Sequence, residues 1–396
     1  MKQSARIWYI LGGLLALLAV SGIIWYPKLR QRLNAPLGPG LELPTYTPAA
    51  SLPAAQNLLL ATQTTRNQSA ATLPAPLPTT LGQAATVEIP TQPTDQPQPT
   101  AGAPLCGGPP VMTILGIGAD HGKANDYRYG LGDAIRVVRV DFITPKVTAL
   151  TIPRDIWVEI PGISDHYDIT HGKLNQSYLY GGEGMGYYDG PGGGPGLMAR
   201  TLDLNFGLRP DHYGAVNMET FKRLVDAVGG IDIYLPNDVD GTPIDDKTED
   251  MGYFTAGQHH FNGDEALRFS RIRKRYNDFT RGDFQNMVIC SLKKKLTSAE
   301  VLPKIPKIIA AFQGQVLTDL SLAQLGQLAC LLPSLERENI IFTSLPQEIF
   351  TSGRQYSPQQ KDYTYVLEAD PQVIRDYIDQ FMAGTWPTQP NEPSCP

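Results

Sequence analysis

The sequence predicts an α/β domain built on a central sheet, placed behind one apolar span and a disordered linker. Three observations carry this. Twenty residues from Ile7 to Tyr26 hold no charge, residues 34–104 are dominated by Pro, Thr, Ala and Gln, and short β-branched runs then alternate with segments of helical spacing. With 396 residues, 42% of them hydrophobic, the chain has room for one large domain or two ordinary ones. Its net charge of −6 argues against a protein that coats nucleic acid, which would carry a basic surplus.

Residues 7–26 read as a transmembrane anchor, preceded by a short start over residues 1–6. Twenty helical residues cover about 30 Å of hydrocarbon, and Trp8, Tyr9, Trp25 and Tyr26 stand near the two ends, where interfacial rings belong. A cleaved signal peptide competes with this, but its apolar core is usually about 7–15 residues and no convincing small-residue cleavage site follows. The positive charges lean against an exported body: Lys2 and Arg6 precede the run, and Lys28, Arg30 and Arg32 follow it. Residues 27–104 read as linker. From residue 34 onward only Glu42, Arg66, Glu88 and Asp95 are charged, and stretches such as "PTQPTDQPQPTAG" cannot bury enough apolar surface to offset their ordering entropy. As a coil this tether spans on the order of 45–50 Å. A globular body over 105–386 and a tail over 387–396 complete the chain. Cys106, Cys290, Cys330 and Cys395 allow three pairings, and ordinary buried thiols at Cys290 and Cys330 are an equal alternative. No cysteine or histidine spacing suggests zinc.

Within the body, "VMTILGIGAD" is a buried strand, and "DAIRVVRVDF" and "KVTALTIPRDIWVEI" are two more, with Thr144-Pro145 in the turn between them. "MARTLDLNFGL" has helical spacing and "YGAVNM" is a strand. In "ETFKRLVDAVGG", Phe221, Leu224, Val225 and Val228 fall at i, i+3, i+4 and i+7, with Gly229 as a stop. "IDIYLP" is a strand and "GDEALRFSRIR" a helix. "TRGDFQNMVICSLKKKL" starts a longer helix, with Thr280 and Asp283 spaced as a capping box. "LSLAQLGQLACLLPSL", "NIIFTSLP" and "PQVIRDYIDQFM" add helix, strand and helix. "GIGADHG" lacks the spacing of a dinucleotide fingerprint. The Gly-rich residues 181–196 lack the Lys-Ser/Thr of a phosphate loop and read as a flexible surface loop.

Chemistry concentrates at strand ends and in "RIRKRYNDFTRGDFQ". Asp120 ends the first strand, Asp133 begins the second and Arg154 closes the third. Five cations (Arg271, Arg273, Lys274, Arg275 and Arg281) crowd fifteen residues of an acidic protein, so either water or an anion separates them. Two carboxylates and several arginines, with no nucleophilic motif, suit phosphoryl chemistry: hard oxygens hold Mg²⁺ and guanidinium forks bind phosphate. Arg281 and Gln285 stand at i and i+4 on a helix start, and Asp278 is placed to pair with Arg281 or act as a base. The interleaved Ile272, Tyr276, Phe279 and Phe284 point to a packed element instead of a loose basic tail.

The chain from Met112 to Leu296 resembles the LytR-CpsA-Psr family of bacterial cell-envelope proteins. The resemblance rests on "ILGIGAD", "LTIPRDIWVEIPG", "KLNQSYLYGG", "VNMETFKRLVDAVGGIDIYLP", "AGQHHFNGDEALRFSRIRKR" and "DFTRGDFQ", in this order and spacing. It implies a three-layer α/β/α domain with a central mixed sheet, carried outside a bacterial cell membrane on a single-pass anchor, with residues 1–6 as a cytoplasmic start. It also implies an Mg²⁺-dependent (alternatively Mn²⁺-dependent) phosphotransferase that moves an anionic glycopolymer from a polyprenyl-pyrophosphate carrier onto peptidoglycan, with pyrophosphatase activity on the carrier as an accessory expectation. Carried over by residue, Asp120 and Asp133 are the metal acids. Arg154, Arg271, Arg273, Arg281 and Gln285 bind the pyrophosphate, and Asp278 and Arg281 serve the reaction. The chain departs from the pattern at Leu131, where family members usually carry an Arg two residues before the second Asp; Arg128 is the expected substitute. A catalytically weak polyprenyl-phosphate-binding scaffold is the alternative. Transcriptional regulation is disfavoured, since no helix-turn-helix pattern is present.

Overall fold

The computed structural model describes residues 27–44, 102–121, 126–246, 248–276, 278–388 and 395. Three apolar runs form the middle of a mixed six-stranded sheet: β1 (Val111–Ala119), β2 (Gly132–Asp141) and β3 (Lys146–Thr151). They pair antiparallel with one another. His212–Asn217 adds parallel to β1, Ile340–Ser344 adds parallel to β3, and the short Leu317–Thr318 closes the edge beside His212–Asn217. Because side chains alternate across a pleated sheet, each run serves two layers. Leu115, Ile117, Ile135 and Val137 face the larger core, with helices Leu174–Gly181, Gly193–Phe206 and Pro371–Ala383. On the other face lie Met218–Ala227 and Asp278–Leu296, with Gly263–Arg271 beside them.

The second core explains why the arginine-rich segment is packed. Phe254, Phe261, Phe269, Phe284 and Tyr276 form a chain of ring contacts with centroids 4.9–5.5 Å apart. Ile272, only 1% exposed, is sunk in the same cluster between exposed Arg273 and half-buried Arg271. Each such apolar side chain contributes about 1.5–3 kcal/mol on burial.

Several expectations change. The anchor expected over residues 7–26 falls outside the described residues. Among those described, no helix is long and apolar enough to cross a membrane. The membrane-spanning part of the fold class, and the single-pass placement in a bacterial cell membrane, are corrected accordingly. The longest described helix, Asp278–Leu296, has 19 residues but carries Asp278, Arg281, Asp283 and three lysines, whereas a span needs about 20 predominantly apolar ones.

Residues 27–44, assigned to the linker by composition, include a docked strip. Leu41 is 4% exposed in the main core, Leu37 N donates to Leu320 O at 3.3 Å, and the Tyr213 hydroxyl donates to Pro39 O at 3.0 Å. The Gly-rich stretch is not a loose loop throughout. Gly193–Gly196 begin a helix that meets the Leu174–Gly181 helix closely, since a Cβ at Gly181 would stand 2.6 Å from Gly193 O. Ile231–Leu235 leaves the central sheet and pairs with Gly257–Phe261. The long helix begins at Asp278, two residues before the expected cap at Thr280. Of the three cysteine pairings, the chain adopts Cys106–Cys330 and Cys290–Cys395, and no free cysteine remains among the described residues.

Candidate functional site

A cavity of about 750 Å³ lies between the sheet and the helices Met218–Ala227 and Asp278–Leu296. Its floor is the second face of the central strands: Gly116 and Gly118 of β1, Ala134, Arg136 and Val138 of β2, then Gly214 and Val216. The glycines at every second position leave backbone where side chains would stand; a Cβ at Gly214 would meet nothing within 4 Å. "GIGAD" is therefore a space-making pattern. Phe221, Leu224, Val288, Ile289 and Leu292 make the walls apolar. Charged and polar groups gather on the same cavity: Asp120, Asp133, Arg271, Arg273, Lys274, Arg275, Arg281 and Gln285.

The two acids meet through a β-bulge. Gly118 pairs with Ala134 but Ala119 pairs with Gly132, so Asp133 is the extra residue on β2 and its side chain is re-aimed beside the end of β1. Asp120 follows directly on β1. Its N–H donates to Leu131 O at 3.0 Å and its Oδ1 accepts from Leu131 N at 2.6 Å. Burial pushes the Asp120 carboxyl above its ordinary value, and the nearby Asp133 charge adds to the rise, against the lowering by the Leu131 bond.

Asp133 is held by Arg154, whose Nη1 donates to Oδ2, and by Asn175, whose Nδ2 donates to Oδ1 at 2.9 Å. Arg154 is 9% exposed and does not line the large cavity; it supports Asp133 from behind. Arg281, 8% exposed, donates from Nη2 to Asp133 O at 3.3 Å. Asp133, Arg281 and Gln285 also line a smaller cavity of about 110 Å³ on the side of β3.

The remaining cations divide by partner. Arg271 is engaged by Glu249 through two contacts (2.9 and 3.4 Å), and Arg275 by Asp240 at 3.0 Å. Arg273 and Lys274 are exposed and line the cavity without an ion pair among the described residues. The Asp278 side chain lies outside the described set. Arg128, the expected substitute for the missing arginine, has a 64% exposed side chain held by Asp126 at 3.1 Å and does not line the cavity. Two residues were not singled out from sequence. Asn175 fixes Asp133, and Arg136 is a buried guanidinium on the cavity floor. The available signal for Arg136 was a cation interrupting the otherwise apolar run "AIRVV".

The acids suit Mg²⁺ in part. Among the described residues no group of three or more His, Cys, Asp and Glu could hold a metal by itself. Mg²⁺, however, is commonly held by one or two carboxylates, with phosphate oxygens and water completing its shell. A half-buried acid pair beside arginines fits an ion that shares its ligands with a phosphate.

A model described as the LytR_cpsA_psr family matches residues 107–372. The chain is 31% identical over 214 residues to regulatory protein MsrR of Staphylococcus aureus (strain COL), covering 53% of this chain and 56% of that protein. It thus spans little more than half the length of these relatives. It is 32% identical over 235 residues to the polyisoprenyl-teichoic acid–peptidoglycan teichoic acid transferase TagU of Bacillus cereus (strain AH820), covering 58% of this chain and 67% of that one. The crystal structure of Bacillus subtilis TagV superposes with a TM-score of 0.52 at 26% identity, covering 69% of this chain and 96% of the other.

Proposed function

Because the chain belongs to the LytR_cpsA_psr family, which relates it to teichoic-acid–peptidoglycan transferases, we propose that it transfers an anionic glycopolymer from a polyprenyl-pyrophosphate carrier onto peptidoglycan. One observation carries the reading: the cavity joins an apolar chamber to a cluster of arginines and two acids. A ligand matching both parts has a long hydrocarbon chain and an anionic head. A polyprenyl pyrophosphate is such a molecule.

In this reading Arg273 and Arg281 orient the pyrophosphate, Gln285 adds a polar contact, and Arg271 contributes once Glu249 yields to the ligand. Arg154 and Asn175 hold Asp133. Asp120 and Asp133 would hold Mg²⁺, which neutralises charge on the phosphate oxygens when bound. A hydroxyl of the acceptor sugar attacks the phosphorus nearest the glycopolymer. The bridging P–O bond breaks and polyprenyl phosphate leaves with the electron pair. Asp278 is the sequence candidate for receiving the hydroxyl proton.

Single-turnover assays with a lipid-linked glycopolymer and a peptidoglycan acceptor test this. Polymer attachment should require Mg²⁺ and fall roughly 100-fold or more in Asp133→Ala or Arg273→Ala. Attachment that survives both substitutions refutes the assignment. Tight carrier binding with no transfer would instead favour the scaffold reading, which the engagement of Arg271 and Arg275 in ion pairs supports.

A further inference from the structure

We infer that Arg136 is an anion-binding group of the large cavity, supplying from the sheet floor the contact for which Leu131 offers no charge. The transferase reading enters only in naming the anion as a pyrophosphate.

Arg136 is 7% exposed and lines the cavity from the middle of β2, opposite Gly116 of β1, which has no side chain to cover it. Its guanidinium meets neutral acceptors alone. Nη1 donates to Asn286 Oδ1 at 2.7 Å, and Nη2 donates to Gly282 O and to Gln285 Oε1, each at 3.3 Å. The Phe342 ring lies 5.5 Å away. No carboxylate among the described residues stands within ion-pair distance. A buried charge without an ionised partner is among the costlier arrangements in a protein interior.

Burial pushes the group down to about 10, the pull of Asp283 works against this, and Arg281 repels it more weakly. Two guanidinium groups close enough to repel one another, both lining one cavity, are relieved together by an oxyanion between them. The acceptors that hold Arg136 (Gly282, Gln285 and Asn286) lie on the first turns of the helix that carries Arg281, so both forks are aimed from one element.

The test is calorimetric titration of the full chain with inorganic pyrophosphate and, separately, with geranyl pyrophosphate, at fixed salt. Arg136→Met should weaken both roughly 10- to 100-fold, as loss of a charge-assisted fork implies. Arg136→Lys should fall between, and Arg128→Met should match the wild type. Thermal unfolding without ligand supplies the second readout. Arg136→Met should lower the unfolding temperature by no more than a few degrees, because relief of a buried charge offsets the loss of hydrogen bonds to Asn286, Gly282 and Gln285. Three results overturn the proposal: undiminished pyrophosphate binding by Arg136→Met, loss confined to the prenyl probe, or no binding of either anion by the wild type. A wild type that binds pyrophosphate but transfers no polymer counts against the transferase reading and leaves the role of Arg136 intact.

Discussion

Replacing Arg154 by methionine removes one partner from the ion pair that holds Asp133. The Arg154 side chain is 10% exposed and that of Asp133 29%. Breaking a fully buried pair costs about 3–5 kcal/mol, most of it from the charge left behind. Asp133 is partly solvated and keeps the Asn175 donor at 2.9 Å, so the expected cost is about 2 kcal/mol. That corresponds to a midpoint lower by about 4–8 °C in a domain of this size. Asp133→Asn should cost a similar amount, because Arg154 would lose its charged Asp133 partner while keeping Asp155, 3.5 Å from its Nε. The double variant should cost little more than either single one. Urea unfolding of the four proteins gives the coupling energy, expected near 2 kcal/mol. Coupling below about 0.5 kcal/mol would show that Arg154 does not hold Asp133, and would remove the argument that Arg154 acts through it. Arg154→Met should also lower Mg²⁺-dependent turnover with less effect on the binding of metal-free pyrophosphate.

Three further outcomes are expected. Burial raises the Asp120 carboxyl pKa, so folded Asp120 contributes stability that is present below the unfolded carboxylate value and fades as pH rises through its folded one. The midpoint advantage of Asp120→Asn over the wild type should therefore grow between about pH 4 and pH 7, and a constant difference would contradict the assignment. Gly214→Val should keep stability within about 1 kcal/mol, since its Cβ enters open space in a strand. It should weaken geranyl pyrophosphate several-fold and leave inorganic pyrophosphate unchanged; equal affinity for both would show that the chain does not lie on the floor. Replacing Cys290 and Cys395 together by serine opens a link across 105 residues and should cost about 2–4 kcal/mol in urea unfolding. No change would show that the bond does not secure the wall helix.

The apolar strands and periodic helices were legible because their signals are local. Val-, Ile- and Leu-rich runs gave β1 to β3, and the stop at Gly229 stands at φ 84°, a left-handed angle suited to glycine. What escaped depends on distant partners. The bulge that turns Asp133 toward Asp120 exists only in the register of two strands. Arg271 and Arg275 look free in a charge count, yet their acids lie more than twenty residues upstream, at Glu249 and Asp240. The hairpin Thr351–Ser357 and Asp362–Glu368 exposes Tyr356, Tyr363 and Tyr365 and sinks Val366, an arrangement that shows only once the two strands pair. Arg136 is hard to read from sequence because a cation inside an apolar strand has no meaning until its burial is known.

The glycine floor has a kinetic consequence. A chamber bounded by side chains can shut when a rotamer turns, whereas hydrogen-bonded main chain at strand spacing has no such freedom. Gly116, Gly118 and Gly214 therefore keep their own stretch of the floor deep. A chain-bearing ligand meets a receptor that needs no reshaping on that side, and the speed of its entry and exit is left to the helices opposite.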